Sequence, residues 1–301
     1  MAAEQLGVTP DHWANLAWAV GAGHIVSDFG LPWLPPSRQA ELADYFGRSD
    51  VARNLAPQLE TSITCDNSRG SATRLGVYFE NLWAFAFQQH PDYRLLHRNL
   101  PLRAGGRTLG ELDFVVHHLP SGLTEHWEIA VKFYLQVQGE FWVGPGLRDR
   151  LDIKLARMRE HQLPLIRQPA ARTLLADLGI QIDRQWALMP GRLFRPLGDS
   201  ATILHRAINP AACRYWWARV DEFQFHFANL PFRWALLPKR AWLADRAYRV
   251  DRAGSCAAIA AGFLQNESRG PVCVAALDHT GEASRGFIVP DNWPELARAG
   301  L

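Results

Sequence analysis

Three charged side chains with the chemistry of a hydrolytic site lie in two neighbouring segments of extended character: Asp113, Glu128 and Lys132. Side chains along a strand alternate between two faces, so Glu128 and Lys132, four residues apart, share one face of their strand. If the two strands pair as a hairpin, Asp113 can lie on that same surface. Two carboxylates beside an ammonium group are typical of a site for a hard divalent cation, because such cations prefer oxygen ligands.

A cation held at this site would polarise a phosphodiester and lower the pKa of a bound water. Lys132 would orient or deprotonate that water, or stabilise charge on the phosphate. Glu80 adds a third acid from a segment that is apolar nearly all round, where a carboxylate needs a partner, a proton or a metal. We therefore predict Asp113, Glu128 and Lys132 as catalytic residues, and Glu80, Asp113 and Glu128 as ligands of Mg²⁺ or Mn²⁺.

A purely structural interpretation stays open at this point. Glu128 and Lys132 can be solvent-facing charges on one strand face, and Asp113 can form an ordinary cross-strand ion pair with Lys132. In that case the three residues would have no catalytic role.

The apolar pattern predicts the elements that position these residues. Residues 73–89 have the length and spacing of a buried helix, and Pro91 ends it. Extended segments, an amphipathic segment and a further short strand follow in an α/β order. The predicted strands are 93–102, 110–118 and 126–135, the amphipathic helix is 147–161, and the last strand is 185–189.

Positive charge is concentrated after these strands. The whole chain has a formal net charge of only +2, but residues 146–214 hold twelve Lys and Arg against six Asp and Glu, a surplus of six positive charges. Lys154 falls at the apolar spacing of its helix, with Arg150 and Arg157 one turn to either side. We predict that these three residues contact the phosphates of DNA or RNA. The alternative is a solvated mixed-charge face with a snorkelling lysine.

Composition indicates an ordinary globular protein, with 48% hydrophobic and 21% charged residues. The twelve Trp are expected mainly in the core, although some could stack on bases. The four Cys form no CxxC pair and suggest a reducing compartment. Because no apolar stretch approaches the ~20 residues of a membrane helix, we expect a cytoplasmic protein without a membrane partner. Its oligomeric state stays open.

Three regions are expected along the chain. Residues 1–72 are predicted to be an N-terminal helical segment, and residues 73–195 an α/β core. Residues 196–301 are predicted to be a C-terminal α+β extension packed on that core.

Two short stretches within the predicted strands resemble the pattern of the PD-(D/E)XK nuclease superfamily: residues 110–116 (GELDFVV) and 128–132 (EIAVK). The resemblance covers about residues 73–190 and implies a restriction-endonuclease-like αβββαβ core, with a mixed central sheet flanked by helices. It also implies metal-dependent cleavage of nucleic acid, and it maps the first-helix acid, the metal-binding aspartate and the lysine to Glu80, Asp113 and Lys132. The chain departs from the pattern at Ala130, where the acid two residues before the lysine is expected.

A closer resemblance, to an uncharacterised bacterial family, family 1853 of the domains of unknown function, spans most of the chain. Two functions follow from these resemblances. The first is a metal-dependent nuclease. The second, favoured by Ala130, is an inactive nuclease-fold protein that binds nucleic acid or another protein, and a Trp-rich C-terminal adaptor surface is a further option. The segments that carry the closer resemblance are 16–19 (LAWA), 128–135 (EIAVKFYL), 144–158 (GPGLRDRLDIKLARM) and 237–244 (LPKRAWLA).

Overall fold

The computed structural model describes residues 7–27, 29–68, 74–198, 207–266 and 270–301. In this part of the chain, nine α-helices and thirteen strands give a mixed α/β protein, as the sequence predicts. The helices are α1 (His12–Gly21), α2 (Pro36–Gly47), α3 (Ser49–Ser68), α4 (Leu75–Gln89), α5 (Leu151–Arg157), α6 (Pro169–Asp177), α7 (Val220–Phe227), α8 (Cys256–Leu264) and α9 (Trp293–Ala299). The strands are β1 (Val8–Pro10), β2 (Tyr93–Ala104), β3 (Arg107–His118), β4 (Leu123–Ile129), β5 (Lys132–Gln138), β6 (Phe141–Val143), β7 (Arg184–Leu188), β8 (Gly191–Pro196), β9 (Tyr215–Arg219), β10 (Arg233–Leu237), β11 (Tyr248–Val250), β12 (Val272–Asp278) and β13 (Gly281–Val289).

Eleven of these strands form two larger sheets. One sheet has four strands in the order β2-β3-β4-β7, and the other has seven in the order β10-β12-β13-β9-β8-β5-β6. The hairpin of β3 and β4 is antiparallel, whereas β4 runs parallel to β7 and β5 runs parallel to β8. Both sheets are therefore mixed, and β1 pairs separately with β11.

The two larger sheets meet where β4 continues into β5 and β7 continues into β8. Hydrogen bonds cross this junction, from Ala130 N to Leu188 O at 2.9 Å and from Lys132 N to Pro190 O at 3.1 Å. The sequence predicts one strand over 126–135, whereas the structure has two strands that belong to different sheets. Pro190, between β7 and β8, has no N–H to donate, which favours a break in regular strand pairing at this junction.

The seven-stranded sheet takes strands from both sides of residue 195. Its β5, β6 and β8 come from the middle of the chain, and its β9, β10, β12 and β13 come from the C-terminal third. Residues 196–301 thus complete a sheet that the preceding segment begins.

The helix predicted over 147–161 begins later and ends differently. Leu147 has a backbone φ of 61°, in the left-handed region, and its N–H donates to Gly144 O at 2.9 Å in a tight turn. Helix α5 therefore starts only at Leu151. It passes into a π-helical turn (Met158–Gln162) and then a 3₁₀ turn (Leu163–Arg167).

Helix α4 is the apolar helix that the sequence predicts over 73–89, and it covers one face of the four-stranded sheet. Its Trp83 and Phe87 pack against Trp127 of β4, with ring centroids 5.6 and 5.1 Å apart. Since side chains alternate along β4, Trp127 faces α4 and Glu128 faces away from it. The opposite face, toward α5 and the π-helical turn, is therefore the one that carries Glu128.

All twelve Trp lie in the described residues, and each is buried or half-buried. The prediction that they serve mainly as core residues is confirmed, since none offers a fully exposed ring for base stacking. In the C-terminal third, Trp216, Trp217, Trp234 and Trp293 are buried among strands and helices. These four tryptophans therefore belong to the core, and the option of a C-terminal adaptor that meets another protein stays a prediction.

The N-terminal helices pack against the sheets and are tied to them by polar contacts. Arg38 of α2 donates to Glu125 of β4, with 3.2 Å between Arg38 Nη2 and Glu125 Oε2, and to the Tyr93 hydroxyl. Trp127 Nε1 donates to the same carboxylate, which is fully buried. Among the described helices, none is both long and apolar enough to cross a membrane.

Candidate active site

The two predicted strand acids lie side by side where β3 and β4 separate. The paired register ends at Phe114 and Trp127, and its continuation places Asp113 opposite Glu128. Instead of continued main-chain pairing, the Ile129 N–H donates to Asp113 Oδ2 at 2.9 Å. This bond fixes the Asp113 carboxylate across the end of the ladder, next to Glu128.

Both carboxyl groups have pKa values above their ordinary range. Burial raises the pKa of Glu128, and the neighbouring Asp113 carboxylate raises it further. Burial also raises the pKa of Asp113, against the lowering effect of the Ile129 N–H, and Glu80 adds to the increase from a distance. Glu128 is only 1% exposed, and its Oε2 has no hydrogen-bond partner among the residues that the structure describes. An unpaired buried carboxylate oxygen is unfavourable, so this atom is placed to accept a ligand.

A lysine from α5 contacts this acid pair. Lys154 Nζ lies 3.6 Å from Glu128 Oε1, and it donates to Gln162 Oε1 at 2.7 Å. Gln162 in turn donates through Nε2 to Glu128 Oε1. Burial lowers the pKa of Lys154, and although Glu128 opposes that effect, Lys132 adds to it. The α5 lysine thus points into the site and does not snorkel to the surface.

Gln162 is a functional candidate that the sequence analysis missed. It lies in the π-helical turn that follows α5, and π-helical turns occur frequently at functional sites. The apolar spacing of residues 147–161 predicts a regular helix and contains no signal for this turn. The one available clue was an amide side chain directly after a helix that already carries a buried-face lysine.

The partner of Lys132 is not one of the two predicted strand acids. Its Nζ forms an ion pair with Asp149 at 2.5 Å, and not with Asp113 or Glu128. The alternative cross-strand pair between Asp113 and Lys132 is therefore not formed. Asp149 comes from the turn that precedes α5. The β4–β5 junction separates Glu128 and Lys132 into two sheets, which accounts for their different partners.

The prediction that Glu80 is deeply buried is wrong. Its side chain is 26% exposed, lies 3.6 Å from Arg98 Nη2, and accepts from Asn99 Nδ2 at 3.4 Å. Glu80 is on α4, and α4 covers the sheet face opposite to Glu128. Within the described ranges, no group of three or more His, Cys, Asp and Glu side chains is placed to hold a metal ion.

A cationic cleft of about 530 Å³ opens beside the Lys154 side of the site. Lys132, Arg148, Lys154 and Arg157 contribute to its lining, and the phosphate contacts predicted for Lys154 and Arg157 stay predictions. Arg150 also lines the cleft, but its guanidinium binds Asp152 and the carbonyl oxygens of residues 300 and 301. A smaller cleft of about 400 Å³ lies on the other side of the Lys132–Asp149 pair.

The donor set fits a hard divalent cation coordinated partly by water. Magnesium is commonly bound by one or two carboxylates, with water and substrate phosphate filling the remaining positions. Asp113 and Glu128 provide two carboxylates, and within the described part of the chain Glu128 Oε2 accepts no hydrogen bond. A cation between them would offset their mutual repulsion and return both pKa values toward the ordinary range.

Comparison with known proteins gives one family match. A search of curated proteins found no match to this chain, and a search of solved structures found none either. A family model described as domain of unknown function (DUF1853) matches residues 15–289. This match includes both strand acids, Lys154, Gln162 and the whole of the seven-stranded sheet. The chain therefore belongs to the DUF1853 family.

Proposed function

We propose that this protein is a metal-dependent phosphodiesterase that acts on nucleic acid through a PD-(D/E)XK-like core. The observation that carries the proposal is the buried Glu128 carboxylate, which has an unpaired Oε2 beside Asp113. Two desolvated acids held together cost stability unless a cation or a proton lies between them. Groups with such perturbed pKa values are concentrated at functional sites.

Asp113 and Glu128 are the proposed ligands of Mg²⁺ or Mn²⁺. When bound, the ion would supply Lewis-acid polarisation of the phosphodiester and activation of water. The Ile129 N–H holds Asp113 in place, and Gln162 holds Glu128. In the proposed site these contacts set the orientation of both carboxylates before substrate arrives.

Lys154 takes the role that the sequence analysis assigned to Lys132. It is the lysine in contact with Glu128, and burial lowers its pKa, which favours proton exchange with an attacking water. Lys132 lines the cleft. There its ammonium group would leave Asp149 and bind a substrate phosphate instead.

The order of elements supports the nuclease-like core. Helix α4 is followed by β2, β3 and β4, then by α5 and β7, which is the αβββαβ order of that superfamily with β5, β6 and α6 added. Substrate phosphates would lie in the cleft that carries Arg148 and Arg157, since clustered cations bind the nucleic-acid backbone. A bacterial origin and a cytoplasmic location stay predictions from the sequence.

The direct test is cleavage of labelled DNA and RNA, single- and double-stranded, with Mg²⁺, with Mn²⁺ and with EDTA. We expect metal-dependent cleavage that falls by roughly 100-fold or more in Asp113→Asn and Lys154→Met, as expected when a metal ligand or a positioned proton donor is removed. Glu111→Gln is the matched control, because Glu111 is an exposed acid on the same strand as Asp113. Equal activity of Asp113→Asn and Glu111→Gln would refute the assignment.

A second candidate is a nuclease-fold protein that binds nucleic acid without cleaving it. It is favoured by Ala130, by the Lys132–Asp149 pair, and by the absence of a three-residue ligand group among the described residues. Thermal unfolding separates the two. A rise in Tm with Mg²⁺ or Mn²⁺ that disappears in Asp113→Asn supports the enzyme, whereas nucleic-acid binding without any cation effect supports the binding protein.

A further inference from the structure

A second groove adjoins the cationic cleft, and its chemistry differs. It has a volume of about 630 Å³ and lies between the turn before α5 and the segment that leads into α9. Leu147 lines both this groove and the cationic cleft, and Pro145 lines both this groove and the smaller cleft. The three spaces are therefore neighbours around a single turn of the chain.

The two sides of that turn carry different kinds of side chain. The cleft contains Lys132, Arg148 and Arg157, whereas the groove is lined mainly by proline, leucine and glycine. Among the described residues in the lining of the groove, the one with a charged side chain is Asp291. A phosphate is attracted to the cationic cleft, whereas a neutral planar apolar group suits the apolar lining of the groove.

Leu147 lies at the boundary between the groove and the cationic cleft, and its backbone conformation is unusual. Its φ of 61° is rare for a residue with a branched side chain, and its side chain is 37% exposed rather than packed in the core. Backbone strain of this kind is concentrated at functional sites. The turn is held by Trp293, whose Nε1 donates to Pro145 O at 2.8 Å. Leu296, on α9, adds a second exposed apolar side chain to the same groove.

We propose that this groove receives an unpaired nucleobase whose phosphate lies in the neighbouring cationic cleft. This inference rests on the proposed function and narrows its substrate to nucleic acid with at least one unstacked nucleotide. The turn from Pro145 to Asp149 would then separate base from backbone: Leu147 and Leu296 contact the base, and the cations bind the phosphate. Asp291 and Asn292 lie where the polar edge of a base would be read.

The test is binding of fluorescent oligonucleotides in EDTA, where cleavage is suppressed, measured by anisotropy. The probes are a single-stranded oligonucleotide, the same oligonucleotide with abasic positions, and its blunt duplex. We expect Leu296→Asp to weaken binding of the single strand by roughly fivefold or more, the low end of what a stacked base contributes. Binding of the abasic strand and of the duplex should change much less.

Leu264→Asp is the matched control, because Leu264 and Leu296 are both 52% exposed leucines on helices, and Leu264 is not in the lining of the groove. If the wild type binds the single strand and Leu296→Asp binds it as tightly as Leu264→Asp does, the base-binding groove is refuted and the proposed function is unaffected. If the wild type binds no nucleic acid of any form, the proposed function itself fails, and the inference fails with it.

Discussion

At the scale of single residues, the adjacent acids Asp113 and Glu128 lower the stability of the folded protein. Asp113 and Glu128 are desolvated and adjacent, and Lys154 compensates only one Glu128 oxygen. A buried polar group without a partner is unfavourable, and natural proteins retain such groups mainly where function requires them. The site can therefore be tested through stability as well as through activity.

Asp113→Asn should stabilise the protein in EDTA near pH 8. Because the folded-state pKa of Asp113 is raised, its ionisation penalises the folded state increasingly as pH rises from the ordinary carboxyl pKa through the folded value. We expect a gain of about 1–2 kcal/mol near pH 8 and almost none near pH 3, where the carboxyl is largely protonated in both states. Urea unfolding at the two pH values measures it. A loss of stability at both would show that Asp113 is an ordinary structural residue.

Gln162→Ala should weaken cation binding without unfolding the protein. Gln162 joins Lys154 to Glu128, and partners that orient ligands typically contribute about 10–100-fold in metal affinity or activity. Calorimetric titration with Mn²⁺ measures the affinity, and circular dichroism checks the fold. Gln168→Ala is the control, since Gln168 is an exposed glutamine shortly after the same turn. Identical Mn²⁺ affinities in the two variants would contradict the role given to Gln162.

At the scale of secondary-structure elements, the site depends on two interruptions of regular structure. The junction between β4 and β5 sends Glu128 and Lys132 into different sheets, and the π-helical turn after α5 brings Gln162 beside Glu128. The junction requires close approach of two parallel strands: a Cβ placed on Gly191 would lie 1.8 Å from Lys132 O. A glycine is required there by packing and not by a special backbone angle.

Gly191→Ala should therefore destabilise the protein by roughly 2–4 kcal/mol, in the range of severe overpacking, because two backbones must move apart. Gly262→Ala provides a control of opposite sign. Gly262 lies within α8 with no neighbouring atom near an added Cβ, and alanine is favoured over glycine in a helix by about 0.5–1 kcal/mol. Chemical denaturation of both variants measures the difference, and a neutral Gly191→Ala would contradict the close approach.

At the scale of the whole molecule, the N-terminal helices are joined to the site-bearing sheet through a buried ion pair. Arg38 of α2 reaches Glu125 of β4, and that carboxylate is fully buried. Since β4 carries Glu128 three residues later, this contact also helps to hold the strand that carries the site. Removal of one member of such a pair leaves the other charge buried and uncompensated.

Arg38→Met should destabilise the protein by about 3–5 kcal/mol, and the double change Arg38→Met with Glu125→Gln should recover a large part of that loss. The exposed pair Arg48–Asp50, with both side chains 58% exposed, provides the control, and Arg48→Met should produce no measurable change. The free energies of unfolding of these three variants, each compared with the wild type, form the test. Equal effects of the Arg38 and Arg48 changes would show that the α2 contact does not stabilise the molecule.

The local sequence pattern was sufficient to predict many of the elements and the faces on which their side chains lie. Strand alternation placed Asp113 and Glu128 on one surface, and the apolar spacing of 73–89 identified α4 as a buried helix. The short-range periodicity also identified Lys154 as a lysine on the inward side of its helix. These properties depend on neighbours a few residues apart in the chain, so a single sequence contains them.

Only the tertiary structure decided which groups complete the site. Whether α4 or α5 covers the Glu128 face depends on the packing of whole elements, and that choice places Lys154 beside the acids and leaves Glu80 with Arg98. The partner of Lys132 likewise depends on a bend between two sheets that Gly191, 59 residues later, makes sterically possible. Such contacts join residues far apart in the chain, and their energies are set by burial and geometry that no local pattern records.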